Sequence, residues 1–236
     1  MTIDLKLHFV AFLDVLGFSE MVNSDVQNNK NDHLSKLFKC HQAASSIFSE
    51  APDCSITQFS DSIVVAKPYD SEKFQWFVKC VAKYQRLLLD EGLLCRGGIA
   101  VNKHFSNGSF TFSAGLIDAY RVESTTARYP RVVISDEVLN LIYEDDRSIM
   151  YPNLIREDDG LFFIDYIGIT SGERPKSLVE TTKSIINQMK NNKIPSVREK
   201  GLWLASYVDS VLNTSLGTPK FSGKSVEKAR LRREKK

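Results

Sequence analysis

Long apolar runs are missing from this sequence. No stretch of 18 consecutive apolar residues occurs among its 236 residues, so no membrane-spanning helix is expected. Met1-Thr2-Ile3-Asp4 lacks the basic and then apolar pattern of a secretory leader. Cysteine is sparse: Cys40, Cys54, Cys80 and Cys95 lie 14, 26 and 15 residues apart with no CxxC pair, and His8, His33, His41 and His104 complete no zinc pattern. Free, buried thiols and a cytoplasmic location follow as expectations. An excess of one charge is also missing. The 31 Lys and Arg against 29 Asp and Glu leave a net charge of +2, which argues against nucleic acid or a membrane surface as partner. The basic excess is local: seven Lys or Arg against two Glu from Lys224 to Lys236, the composition of a solvated tail.

What is present suits a soluble globular chain. It is 42% hydrophobic and 25% charged, and it is long enough to bury a sizeable core. Residues 7–15 form an apolar, β-rich run ending at Gly17. Apolar residues at helical spacing mark 31–50 and 71–91. Between them, Ser55–Phe59 and Ser62–Ala66 read as a hairpin with Ser60-Asp61 at its tip. A glycine-bearing strand is expected at Leu93–Val101, a turn at His104–Gly108 and a helix over 113–126. A strand follows at Arg131–Ser135, where Ser135 caps a helix reaching Tyr143. A further strand is expected at Leu161–Ile167, then helices at 174–191 and 195–213. The order is β-α-β-β-α-β with additions, an α+β, ferredoxin-like arrangement with a C-terminal helical extension. The divisions expected are a domain over 1–170, packed helices over 171–215 and a basic tail over 216–236.

Within the first strand, Phe12-Leu13-Asp14-Val15-Leu16-Gly17-Phe18-Ser19 carries an aspartate that apolar surroundings make costly without a partner. In the ferredoxin-like order the first and third strands lie side by side at the sheet centre. Asp14 can therefore approach Asp61 on the neighbouring hairpin. Two carboxylates in one place repel unless one takes a proton or cations bridge them, and oxygen ligands beside phosphate are what Mg²⁺ or Mn²⁺ prefers. Gly17-Phe18-Ser19 is a glycine turn opening into a helix, whose backbone N–H groups can cradle a polyphosphate. Each feature has an ordinary alternative: a strand-end Asp is commonly a turn or cap residue, and the glycine is a strand-to-helix turn.

Together these residues resemble the class III nucleotide cyclases. Phe12–Ser19 is similar to that family's first metal motif, and Gln58-Phe59-Ser60-Asp61-Ser62-Ile63-Val64-Val65 to its second. Arg96-Gly97-Gly98-Ile99-Ala100 resembles the family's Gly-Ile-His strand. Ala119-Tyr120-Arg121-Val122-Glu123-Ser124 resembles its Ala-Ser-Arg-Leu-Glu-Ser helix, and Pro130–Ser135 the strand after it. The match spans 7–167 in order. It implies conversion of a nucleoside triphosphate to a 3′,5′-cyclic monophosphate and pyrophosphate. Two Mg²⁺ or Mn²⁺ ions would be held by Asp14, Asp61 and the Val15 carbonyl, the triphosphate by the backbone of Gly17, Phe18 and Ser19. Arg121 would stabilise the transition state from the partner protomer of a homodimer with sites at the interface. Its alternative is a surface ion pair with Asp118 or Glu123.

The departures from the pattern bear on the base. The family's ribose-positioning Asn corresponds to Ile117, with Asp118 beside it. Its adenine-reading Lys corresponds to Thr57 and its second base reader to Phe110. A site without these hydrogen bonds should reject a purine. The chain in this respect resembles the stand-alone pyrimidine cyclases of bacterial antiphage Pycsar systems, which implies UTP as substrate, with CTP as the alternative, and a cyclic nucleotide that activates a separate effector. A purine-using cyclase, a non-catalytic nucleotide-binding module and a polymerase-like palm are the other readings. The last lacks a GGDEF-like loop and a basic groove.

Overall fold

The computed structural model describes residues 4–48, 53–143 and 151–217; the basic run from Lys224 to Lys236 lies outside them. Strand β1 (Lys6–Val15) is followed by helices α1 (Phe18–Asn28) and α2 (Asp32–Phe48), hairpin strands β2 (Ser55–Phe59) and β3 (Ser62–Pro68), and α3 (Phe74–Asp90). Then come β4 (Cys95–Ser106), β5 (Thr111–Ser113), α4 (Ala114–Thr126), β6 (Val132–Ile134) and α5 (Asp136–Ile142). The chain continues through β7 (Leu154–Arg156), β8 (Phe162–Ile164), α6 (Tyr166–Thr170), α7 (Pro175–Lys190) and α8 (Pro195–Leu212).

The strands form one mixed sheet in the order β2-β3-β1-β4-β6-β8-β7, with β5 on β4. Its half β2-β3-β1-β4 is the ferredoxin-like core, antiparallel throughout, while β4 and β6 run parallel. Side chains on β1 alternate between faces. Phe9, Ala11, Leu13 and Val15 enter the main core with Leu37, Cys40, Ala44 and Phe48 of α2 and Phe74, Phe77, Val78 and Val81 of α3. Val10 and Phe12 face the other way, onto a smaller cluster with Val64, Ala66, Ala100 and Ala119 of α4. The seat of α4 depends on Gly98, where an added Cβ would stand 2.4 Å from the Ala119 carbonyl oxygen and 2.7 Å from Val122 Cβ.

The expected elements form, with three differences. β4 runs on to Ser106, so the turn expected at His104–Gly108 begins later. His104 pairs with Ser113 of β5, and Asn107 Oδ1 accepts the backbone N–H groups of Ser109 and Phe110 to make the turn itself. The strand expected over Leu161–Ile167 stops at Ile164 because Asp165 accepts the Gly168 N–H at 2.9 Å and starts α6. The short strands β5 and β7, which pair with β4 and β8, and the short helix α6 have no counterpart among the expected elements.

Before α2 the chain does not continue straight from α1. Asn29 takes a left-handed φ of 50°, and the Asp25 carboxylate accepts the His33 and Leu34 backbone N–H groups, both at 3.0 Å. At the other end, α7 and α8 share the main core through Leu178, Ile185, Ile186, Leu204 and Val208. None of the four cysteines is in a disulfide; Cys40, Cys80 and Cys95 are buried and Cys54 is half-buried. Among the described residues no helix is long and apolar enough to cross a membrane.

Candidate active site

Asp14 is the second-last residue of β1, which lies between β3 and β4, so its position follows from two registers at once. It faces Ser62 across β3 and Arg96 across β4. Asp61 sits at the tip of the β2–β3 hairpin, where Ser60 takes a φ of 55° to make the tight turn. The Asp61 carbonyl accepts the Val15 N–H at 3.1 Å, which fastens the hairpin tip to the end of β1. Burial pushes the Asp14 carboxyl above its usual range, the Asp61 charge pushes it further, and the Arg96 guanidinium pulls the other way. The two carboxyls are thus close enough to repel, as the strand order requires.

Just beyond Val15 the chain turns at Gly17 with φ 80°, a conformation that favours glycine. Helix α1 starts there with no capping side chain, and its first turn is accessible at Ser19 and partly so at Phe18. Uncapped N–H groups and the positive end of the helix dipole therefore lie next to the aspartate pair.

Two further residues complete this corner: Arg96, to which the sequence assigned no role, and Glu123, which is buried here and is not the surface partner of Arg121 that was one expectation for it. Arg96 Nε lies 3.5 Å from Asp14 Oδ2 and 2.6 Å from Glu123 Oε1. Glu123, on α4, is only 1% exposed, and its Oε1 has no aligned hydrogen-bond donor despite that short approach. Burial raises the Glu123 carboxyl above its usual range and Arg96 opposes this. The signal for Arg96 was in the sequence, since a strand register that sets Gly97 and Gly98 opposite Leu13 and Phe12 sets Arg96 opposite Asp14. Glu123 could be found only once α4 was seated on Gly98.

The other sequence candidates lie on β2, in the turn after β4 and on α4. Arg121 is on the outer face of α4, where its side chain is 68% exposed and its Nη1 donates to Asp118 Oδ1 at 3.2 Å. Asp118 also accepts from Asn102 Nδ2 at 2.7 Å. Ile117 is exposed beside it. Thr57 is half-buried on β2, paired with Val64. Phe110 is exposed in the turn after β4. That turn follows Ser106, ten residues along the strand from Arg96, which puts it on the order of 30 Å from Asp14 at about 3.3 Å per residue.

Whether the corner suits divalent ions is a matter of donor chemistry. Among the described residues no group of three or more His, Cys, Asp or Glu side chains gathers into a metal site. The aspartate pair offers hard carboxylate oxygens, and Val15 adds a main-chain carbonyl at the strand end. Magnesium commonly takes one or two carboxylates and fills its remaining positions with water and substrate phosphate, so this donor set fits Mg²⁺ or Mn²⁺.

No protein-family model and no curated protein matches the sequence. Solved structures do. A bacterial light-regulated adenylyl cyclase superposes with a TM-score of 0.50 at 13% identity, covering 78% of this chain and 57% of its own. A class III adenylyl cyclase-like ATP-binding protein from Pseudomonas aeruginosa gives 0.52 at 9% identity, covering 70% of this chain and 40% of its own. The chain thus spans little more than half the length of the first of these and less than half of the second. Identities this low speak for architecture alone: the chain has the mixed α+β fold of class III cyclase catalytic domains.

Proposed function

We propose that this protein is a nucleotide cyclase that converts a pyrimidine nucleoside triphosphate, UTP in the first instance, to the 3′,5′-cyclic monophosphate and pyrophosphate. The observation that carries the reading is the meeting of Asp14 and Asp61 beside the uncapped start of α1. Two Mg²⁺ or Mn²⁺ ions bound there would lower the pKa of the ribose 3′-hydroxyl and neutralise charge around the α-phosphorus. Asp14, Asp61 and the Val15 carbonyl are the residues that would hold them. The N–H groups of Phe18 and Ser19 orient the triphosphate, and the absence of a side chain at Gly17 lets it approach the backbone. The 3′-hydroxyl gives up its proton to water as its oxygen bonds to the α-phosphorus, the bond to the β-phosphate oxygen breaks, and pyrophosphate leaves.

Arg121 has the chemistry to neutralise charge on the phosphoryl group, being always protonated and able to grip two oxygens. Its outward position in one chain suits delivery to a partner's site. Phe110 in the β4–β5 turn, Phe112 on β5 and Ile117 and Tyr120 on α4 are exposed and offer apolar surface of the kind that marks a protein interface. A homodimer follows, with Arg121 completing the aspartate pair of the other protomer. Thr57 and Ile117 offer no adenine-reading or ribose-holding amide or ammonium, which supports a pyrimidine over a purine, with CTP the alternative base. The product would be a messenger for a separate effector in antiphage defence, as the resemblance to Pycsar cyclases implies.

The test is incubation with each of the four nucleoside triphosphates and Mn²⁺, with products separated by mass. Cyclic UMP or cyclic CMP, abolished by Asp14→Ala and Asp61→Ala, supports the reading. Cyclic AMP as sole product removes the pyrimidine assignment. Ile117 favours one other reading, a nucleotide-binding module without turnover. Nucleotide binding with no cyclic product, unaffected by either aspartate variant, would establish it.

A further inference from the structure

Arg96 is a cation placed where a metal-binding pair of aspartates would least need one. It reaches across from β4 to within 3.5 Å of Asp14 Oδ2, while the same Nε lies 2.6 Å from Glu123 Oε1. Its side chain is about one-third exposed, whereas that of Glu123 is 2% exposed. A carboxylate so buried stays ionised only with a cation against it. Glu123 Oε1 nevertheless lacks an aligned donor, so the guanidinium is shared between two acceptors and saturates neither. Two carboxylates, Asp14 and Glu123, thus share one arginine, and Asp61 stands beside the first of them. An arginine carries five N–H donors in a rigid fork, and a small turn of this one toward Glu123 would align it there and release Asp14.

We propose that Arg96 is a built-in counter-cation of the aspartate pair, which exchanges with an incoming divalent ion and is drawn off onto Glu123. This rests on the reading of Asp14 and Asp61 as metal ligands. Ion binding then becomes a cation exchange: Asp14 gives up its contact with Arg96, Arg96 completes its bond to Glu123, and the corner avoids both bare repelling carboxylates and an excess of cations. Arg96 is in this account a positioning residue acting through Asp14, and Glu123 is the site to which it withdraws. The arrangement predicts opposite effects from its two halves. Removing the arginine removes the competitor for Asp14. Removing the charge of Glu123 removes its destination and leaves Arg96 on Asp14.

The test titrates Mn²⁺ alone, without nucleotide, into the full chain and follows the free ion by electron paramagnetic resonance, with thermal melting to establish that each variant is folded. Asp14→Ala should abolish the site. Arg96→Gln should tighten Mn²⁺ about tenfold and Glu123→Gln should weaken it about tenfold, each equal to about 1.4 kcal/mol. The double variant should return toward the Arg96→Gln value, since without the arginine Glu123 has nothing to receive. If wild type binds Mn²⁺ through Asp14 but both single variants weaken it, or neither changes it, Arg96 and Glu123 only staple α4 to β4 and the exchange is refuted while the metal reading stands. If Asp14→Ala leaves Mn²⁺ binding unchanged, the metal reading fails and the exchange fails with it.

Discussion

Replacing Gly98 by alanine should lift α4 off the sheet and, with it, half of the candidate site. The Cβ of an alanine there would lie 2.4 Å from the Ala119 carbonyl oxygen, 2.7 Å from Val122 Cβ and 2.9 Å from the Glu123 nitrogen. These atoms are the backbone and first side-chain carbon of one helix, so no rotamer change relieves the contact. Ordinary van der Waals contact begins at 3.4 Å, and reaching it requires α4 to move out by about 1 Å. Overpacking of this kind costs about 1–3 kcal/mol. At about 2–4 °C per kcal/mol for a chain of this size, the melting temperature should fall by roughly 2–12 °C. Because α4 carries Arg121 and Glu123, a shift of about 1 Å should also lower turnover in the proposed cyclase reaction by up to roughly 10²-fold. Gly172→Ala is the control, since a Cβ there meets nothing within 4 Å. Differential scanning fluorimetry and a product assay would read both effects. If Gly98→Ala melts with the control and turns over normally, the seating of α4 on Gly98 does not hold the site.

Other consequences concern the parts that hold the site in place. The Asp25 carboxyl is held below its usual range, chiefly by the Leu34 N–H and then by His33. Its stabilisation is therefore complete above the unfolded value of about 3.9 and is lost as pH falls through the lower folded value. Asp25→Asn should be less stable than wild type in urea at pH 7, with the gap closing below about pH 4; a gap constant down to pH 2 would contradict this. Arg86 is buried and donates to Asp90 at 2.9 Å, the Thr170 carbonyl at 3.0 Å and the Glu173 carbonyl at 2.8 Å. Arg86→Ala should cost about 3–5 kcal/mol, and Arg86→Lys should recover only part, because a single ammonium cannot span all three acceptors. Equal urea midpoints for Arg86→Lys and wild type would refute the fork. Burial pushes the Cys40 thiol up to about 12 and the Cys54 thiol up to about 11. Iodoacetamide at pH 8 should leave Cys40 unmodified until the chain unfolds, with Cys54 the first to react, and mass spectrometry after timed quenching would show a rapid Cys40 adduct if that is mistaken.

The strands, helices and aspartate pair were legible because local patterns carry them. Alternation through Phe9–Val15, helical spacing in α2 and α3, and a two-residue hairpin tip are properties of neighbouring residues. The ferredoxin-like order then places β1 beside β3, so strand order alone brings Asp14 and Asp61 together. The turn at His104 and the strand through Ile167 were misplaced for the converse reason. His104 stays extended because β5 supplies it with a partner, and Asp165 stops β8 by capping a helix of only five residues, Tyr166–Thr170.

What the sequence by itself determined is the chemistry available: two carboxylates, a glycine turn and an arginine helix, at spacings that one sheet can assemble. What only the tertiary structure decided is how those charges are balanced. Arg96 meets Asp14 through a strand register and Glu123 through the packing of a helix onto Gly98. A charge has long reach and no sequence periodicity, so which cation sits beside which buried carboxylate is settled by packing.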